Sequence, residues 1–437
     1  MDIIVIGAGI AGITTAYCLH TAGHRVCVIE QQTTVAQKAS FGHGGVILPT
    51  PFDTWFGPEL SFSSWPAWLG GESTRIRLSQ NLKNCSWTRR FFKKPNAEQC
   101  LTRYARLKPL IDLAAITLAE IETHYAFEFE QRSGILHLFR HASELKRIAP
   151  ALLFLQQHEH PYQLLNAEEC YRAEPSIPMH PPLAGGVFLP DDRSANCPLF
   201  AKQLKPVLEE AGVRFLLGRQ VARIDPMLAR VELEPQQNHF DSTLSHLANP
   251  TLESIIADAI VITAGAGSLP LLAQAGVRLP LQLMQLHTII APIASEERAP
   301  RLTMIDTVRQ ITMARFNNRL RIAGGLVSPR LTQIQAGLDH KLRQQTLNKV
   351  AHAVHDWLPG VTKLSTGSYW DGKRLLSPDG LPIVGATAHP RLWVNLAHGP
   401  VGWALACGAA KVLADQMTGR VSEIDEDTLR SLSPARF

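Results

Sequence analysis

Cysteine is scarce and scattered: the seven thiols, Cys18, Cys27, Cys85, Cys100, Cys170, Cys197 and Cys407, are odd in number and never fall in a CxxC spacing. That pattern excludes a disulfide framework and a zinc site, and the residues read as reduced, mostly buried small side chains. No metal is expected. Nor is a membrane span, because no run of about 18 apolar residues is free of Gly, Pro or charge. Internal repeats and low-complexity tracts are missing. The first strand begins at the second residue, so no room precedes it for a secretory signal, and a cytoplasmic location is expected. A formal net charge of +5 over 437 residues is too modest to call for nucleic acid. With 45% hydrophobic and 19% charged residues the composition is that of a globular protein, and the length implies at least two lobes.

The most informative segment stands at the start. DIIVIGAGIAGITTAYCLHTAGHRVCVIE sets Gly7, Gly9 and Gly12 at the end of an apolar strand and the start of a helix, with Glu30 closing the next strand. Gly7 permits the sharp strand-to-helix turn, Gly9 lets the backbone lie against a pyrophosphate, and Gly12 lets the helix approach the strand. Ile10 and Ala11 lie in the first helical turn, whose unpaired N–H groups and dipole suit that pyrophosphate. Glu30 is placed for ribose hydroxyls, which favours an unphosphorylated ribose, and Gln31 adjoins it.

Further along, Ser73 to Lys94 carries Arg75, Arg77, Lys83, Arg89, Arg90, Lys93 and Lys94 and no acid, beside Phe52, Trp55, Phe56, Phe62, Trp65, Trp68, Trp87, Phe91 and Phe92. Cations beside interfacial aromatics suit an anionic membrane surface, so peripheral contact through residues 52–94 is one reading; a solvated helix face with a partly buried loop is the other. Residues 76 to 125 read as helices, with Leu107, Leu110, Ile111, Ala114 and Leu118 at 3.6-type spacing. Strand patterns follow at Gly134 to Phe139, at Gly185 onward into a helix carrying Leu199, Leu204 and Leu208, and at Ala257 to Gly265. Pro235 to Pro250 reads as a polar loop or flap. Asn317 and Asn318 join two strands as a hairpin. Parallel-type strands at both ends and antiparallel ones between predict an α/β nucleotide domain assembled from discontinuous segments, with an α+β lobe inserted.

Several separated motifs coincide with one family: the opening fingerprint; ASFGHGG with Val-Ile-Leu-Pro after it; Asn81 to Cys85; LPDDRSANCPLF; DAIVITAGAGS; RFNNRLRIAGG (Arg315 to Gly325); RLLSPDGLPIVGAT (Arg374 to Thr387); and the tail LWVNLAHGPVGWALACGAAKVLADQMTGR. Over nearly its whole length the chain resembles FAD-dependent oxidoreductases of the D-amino acid oxidase and glycine oxidase superfamily, and within it the D-amino acid dehydrogenase small-subunit group. The resemblance implies a Rossmann-type FAD-binding domain over 1–80, 160–275 and 365–437, and a substrate-binding domain over 81–159 and 276–364. It implies noncovalent FAD: the offset of His43 from Gly45 does not match the flavin-linking histidine of some relatives, and no cysteine lies between Val361 and Pro378.

The same resemblance extends the cofactor set. Ser40, His43, Gly44 and Gly45 form a small-residue loop for phosphate, ribityl or ring atoms, and a mobile glycine loop is the plain alternative. Val221 joins them. Ala264 and Gly265 end an apolar strand without bulk, allowing a nucleotide to approach. In the tail, His398, Gly399, Pro400, Val401, Gly402 and Trp403 open a helix whose first-turn N–H groups can face the electron-rich edge of a reduced flavin.

Arg374 resembles the arginine that grips the substrate carboxylate in glycine oxidase-type members, although Leu375 follows it where proline is common; His398 is the other candidate catalytic residue. Met284, His287 and Tyr369 are substrate candidates, each also readable as a packing residue. The implied reaction is hydride transfer from the α-carbon of an amino acid, a D-amino acid with proline-like rings included, to flavin N5. Electrons would pass to a quinone or respiratory-chain acceptor, which fits a peripheral position on the inner face of the cytoplasmic membrane. A glycine or sarcosine-type oxidase using dioxygen, a flavin-bearing subunit of a heteromeric complex, and a nicotinamide-dependent enzyme are the rival readings. Oligomeric state is left open.

Overall fold

The structure, a computed structural model, describes residues 1–47, 97–180, 182–234, 253–327 and 336–437. It is built around Asp2–Ile6, whose last four residues are buried because a strand paired on both edges and covered on both faces has no solvent side. Arg25–Glu30 lies parallel to it on one edge and Ala259–Ile262 on the other. Arg214–Leu217 extends one flank; Leu392–Leu396 and the antiparallel Ile383–Ala386 extend the other, giving a six-stranded sheet. Segments from the two ends of the chain thus share one sheet, as expected of a discontinuous α/β domain.

Small residues let three helices close over this sheet. Ile10–Thr21 lies against Gly402–Thr418, and Thr14 Oγ1 donates to Ala406 O at 3.1 Å. The same C-terminal helix meets Ala97–Tyr125 so closely that a Cβ on Gly408 would fall 2.5 Å from Leu110 O. Leu107, Leu110, Ile111, Ala114 and Leu118 are all buried there, as their spacing predicts.

The second sheet has eight strands, in the order Ser368–Leu376, Gln282–Pro292, Arg319–Val327, Ile311–Phe316, Thr303–Asp306, Arg132–Phe139, Gly185–Ser194 and Gln163–Asn166. All pairings are antiparallel except that of Thr303–Asp306 with Arg132–Phe139. Asn317, at φ +50°, supplies the left-handed turn of the hairpin between Phe316 and Arg319. Val350, Ala353, Val354 and Trp357 of Ala336–Trp357 cover one face of this sheet. A small third sheet joins Val221–Asp225, Arg230–Leu233 and Glu253–Ile256.

The domain boundaries drawn from sequence differ from this arrangement at four elements, three strands and one helix. Gln163–Asn166, Gly185–Ser194 and Ser368–Leu376 hydrogen-bond into the eight-stranded sheet, not the nucleotide sheet, whereas Ala97–Tyr125 joins the nucleotide layer. Strand periodicity is local; the identity of the partner strand is not. The basic and aromatic stretch 52–94, Asn81 to Cys85 and the polar segment Pro235 to Pro250 lie outside the described residues. Among the described residues no helix is long and apolar enough to cross a membrane.

Candidate active site

At the carboxyl end of the nucleotide sheet the glycines act through backbone geometry. Gly7, at φ +104°, donates its N–H to Ile29 O at 2.8 Å, and a Cβ on it would lie 2.8 Å from Ala264 Cα. Gly12 sits where a Cβ would fall 1.8 Å from Gly7 O, so only glycine lets the helix come this near. Ser40 Oγ accepts the Ile10 N–H at 2.9 Å, tying the Ala39–Gly45 loop to the helix start. Glu30 is buried, and each of its oxygens accepts one backbone N–H, from Ala8 at 2.7 Å and Gln32 at 2.8 Å. Remaining lone pairs on both oxygens are available to hydroxyl donors.

These groups line a cavity of about 830 Å³, within the size range of cofactor pockets. Its walls bring together Gly7, Gly9, Ile10, Ala11, Glu30 and Gln31 from the first βαβ unit, Ser40 and His43 from the loop, and Val221, Ala264 and Gly265. Arg374, His398, Gly399 and Gly402 complete the far wall. A smaller adjoining cavity of about 40 Å³ is lined by Gly44, Leu286, Thr312, Ala323, Pro400 and Val401, with His43 and Arg374 common to both.

Arg374 is 5% exposed. Its Nη1 donates to Pro400 O at 3.0 Å and its Nη2 to Ala39 O and Gly42 O at 3.4 Å each, while Nε has no partner. Among the described residues no carboxylate pairs with it. Burial lowers its pKa to about 10, which leaves the guanidinium charged at neutral pH. Burial pushes His398 down to about 4, and its Nε2 has no partner, so it is a neutral imidazole. His43 is also held well below the usual imidazole range, first by burial and then by the nearby charges of Arg374 and Arg321. Its Nδ1 accepts the Gly45 N–H at 3.0 Å, and its Nε2 lies 3.5 Å from the backbone N of Trp403.

Several candidates stand back from the cavities. Gly12 acts behind the wall. Gly45, at φ +100°, faces Phe316, whose Cζ would be 2.6 Å from an added Cβ. Trp403, 2% exposed, packs into the core against Phe129 and Phe200, with ring centroids 6.0 and 6.3 Å away. Met284 is opposite Arg374 in the strand pairing and shares its face but is buried without lining either cavity. His287 and Tyr369 hydrogen-bond to each other on the opposite face, since side chains alternate along paired strands.

Other wall residues were not among the candidates. Thr263 Oγ1 lies 2.9 Å from both Ile6 O and Gly7 O, and Asn395 Nδ2 donates to Thr15 at 3.0 Å while its Oδ1 has no partner. A buried polar residue inside the apolar run LWVNL is the signal that points to Asn395. Trp370 lies flat on Gly42 and Gly372, where added Cβ atoms would fall 1.8 and 1.7 Å from its ring. The orphaned polar atoms of Arg374, His398 and Asn395 around one large cavity are what a bound polar cofactor would satisfy, and the glycine turn and Glu30 fit the diphosphate and ribose of a dinucleotide.

The DAO family model, described as FAD dependent oxidoreductase, matches residues 2–416. The D-amino acid dehydrogenase of Cereibacter sphaeroides is 32% identical over 451 aligned residues, covering 100% of this chain and 97% of that protein. That of Rhizobium rhizogenes is 29% identical, covering 100% of both. Among solved structures, iminodiacetate oxidase from Chelativorans sp. BNC1 superposes with a TM-score of 0.70 at 19% identity, covering 99% of this chain and 98% of its own. Glycine oxidase from Geobacillus kaustophilus gives 0.69 at 19% identity, covering 100% and 98%. These two are likenesses of fold.

Proposed function

Because this chain belongs to the DAO family of FAD-dependent oxidoreductases, we propose that it oxidises free D-amino acids to imino acids and passes the electrons to a quinone-type acceptor. The imino acid hydrolyses to a 2-oxo acid and ammonia, or persists as a cyclic imine when the substrate is proline-like. Bound FAD supplies the two-electron acceptor for the hydride leaving the α-carbon. Gly7, Gly9 and the first turn of Ile10–Thr21 hold the diphosphate, and Glu30 the ribose. The tail from His398 to Gly402 closes the opposite wall.

One observation carries the substrate reading. Arg374 is a charged guanidinium, buried, on the wall shared by both cavities, with an unpartnered Nε and no acidic partner among the described residues. A buried cation without an anion is costly, and a substrate carboxylate supplies that anion. Neutral His398 places no second positive charge beside the substrate amine, and its Nε2 is available to a hydrogen bond. The choice of D-amino acids rests on relatives of that name matching along the full chain. The same name supports a dehydrogenase, and the cation and aromatic content of residues 52–94 supports a membrane-surface acceptor.

Anaerobic mixing of the FAD-loaded protein with a panel of D- and L-amino acids tests this. D-amino acids are expected to bleach the flavin band near roughly 450 nm, and admitted air to restore it slowly compared with a quinone analogue. Bleaching by L-amino acids or N-methylglycines alone would overturn the substrate assignment. Rapid recovery in air with peroxide release would overturn the acceptor.

A further inference from the structure

Arg321 has no part in the proposed reaction, yet it is only 4% exposed. It lies on Arg319–Val327, two residues before Ala323, and therefore on the same face as this lining residue of the smaller cavity. Its Nη1 donates to Phe41 O at 2.7 Å and His43 O at 3.1 Å. The guanidinium stands 5.3 Å from the Phe316 ring centroid and 5.9 Å from that of Phe41. Nε has no partner, and no carboxylate among the described residues pairs with it. Glu130, whose charge it feels, is already taken by Arg319 at 2.9 Å and Asn196 at 2.5 Å. A buried cation of this kind is a burden that an apolar side chain of similar size would avoid.

What Arg321 holds explains its place. Arg374 binds the carbonyls of Ala39 and Gly42, and Thr288 Oγ1 donates to Gly42 O at 2.8 Å. With Phe41 and His43 on Arg321, the carbonyls of residues 39, 41, 42 and 43 are all turned into the sheet. The N–H groups of Ser40, Gly42 and Gly44 are left without a partner among the described residues. Ser40 and His43 line the larger cavity, and His43 and Gly44 the smaller.

We propose that Arg321 is a positioning residue of the cofactor site, which fixes the Ala39–Gly45 loop by its carbonyls so that the unpartnered N–H groups of the cavity-lining Ser40 and Gly44 are presented to acceptor atoms of bound FAD. This rests on the family assignment, not on the substrate. A planar guanidinium suits the task because it is less strongly hydrated than an ammonium and directs two donors from one nitrogen.

The test uses apoprotein reconstituted with FAD and no substrate, so its outcome is independent of which amino acid is oxidised. FAD affinity and the visible spectrum of the bound flavin are compared in the wild type, Arg321→Lys, Arg321→Met and Thr288→Val. Arg321→Met is expected to weaken FAD binding about tenfold or more and to shift the flavin bands, with Arg321→Lys intermediate and Thr288→Val smaller in the same direction. Wild-type affinity and spectrum in both Arg321 variants, even with a lowered Tm, would leave Arg321 as packing alone. Should Arg321→Met fail to fold, unchanged affinity and spectrum in Arg321→Lys and Thr288→Val would overturn the proposal equally.

Discussion

Gly12 and Arg321 mark two extremes of what one residue discloses. Gly12 is legible because the demand it meets is local, the Gly7 carbonyl oxygen of the preceding turn lying 1.8 Å from where its Cβ would be, and only one residue type meets that demand. Gly12→Ala is expected to lower stability by about 3 kcal/mol and to yield protein purified without FAD, since the Gly7 turn must yield. Retention of flavin at wild-type stoichiometry would contradict that. Arg321 reads in the sequence as one cation among RFNNRLRIAGG, and its purpose depends on carbonyls 280 and 278 positions away along the chain. Asn395 and Thr263 are intermediate: one is a polar residue within an apolar strand and the other directly follows one, conspicuous once noticed, but with a partner that no local pattern names. His287 and Tyr369 show the cost of choosing residues near a site without its strand phase, because the alternation that puts Arg374 on the cavity side puts them on the other, whereas Met284 shares the face of Arg374 but lines neither cavity.

At the scale of elements, type was legible and partnership was not. Ala97–Tyr125 follows its apolar spacing, and Ala167–Ala173 begins after Asn166, whose side chain accepts the Glu169 N–H at 3.0 Å. Yet the long helix belongs with the nucleotide layer because Gly408 offers it a seat with no side chain in the way. Ser368–Leu376 illustrates the functional consequence. Lying at the edge of the eight-stranded sheet, it carries Trp370 and Arg374 across to the nucleotide domain, where they clamp the Ala39–Gly45 loop. The cavity between the two sheets therefore exists because one strand of the second sheet reaches the loop that follows Arg25–Glu30 in the other.

Over the whole molecule, burial of neutral histidines sets a pH dependence. His137 is pushed to about 3 and His398 to about 4, and His43 lies well below its usual value. Unfolded histidines take up protons below about pH 6.5, whereas these do not until far lower, so stability is lost as pH falls through that interval. Asp192, raised to about 6 by burial, acts oppositely: its folded carboxyl takes a proton first, and stability rises as pH falls from about 6 to 4. Three histidines outweigh one carboxyl. Tm is expected to drop between pH 7 and pH 5, and His137→Gln, away from the cavities, to flatten that slope; a flat or rising Tm in the wild type would contradict it.

The central claim is that Arg374 binds the substrate carboxylate beside FAD. Its most direct test is the concentration dependence of flavin bleaching by a D-amino acid, measured by anaerobic stopped flow in the wild type and in Arg374→Lys. The account predicts about tenfold or more weaker apparent binding in the variant, with bleaching still reached at high substrate, because a point charge cannot reproduce the directed donors of a guanidinium. Superimposable concentration curves for the two proteins would contradict it.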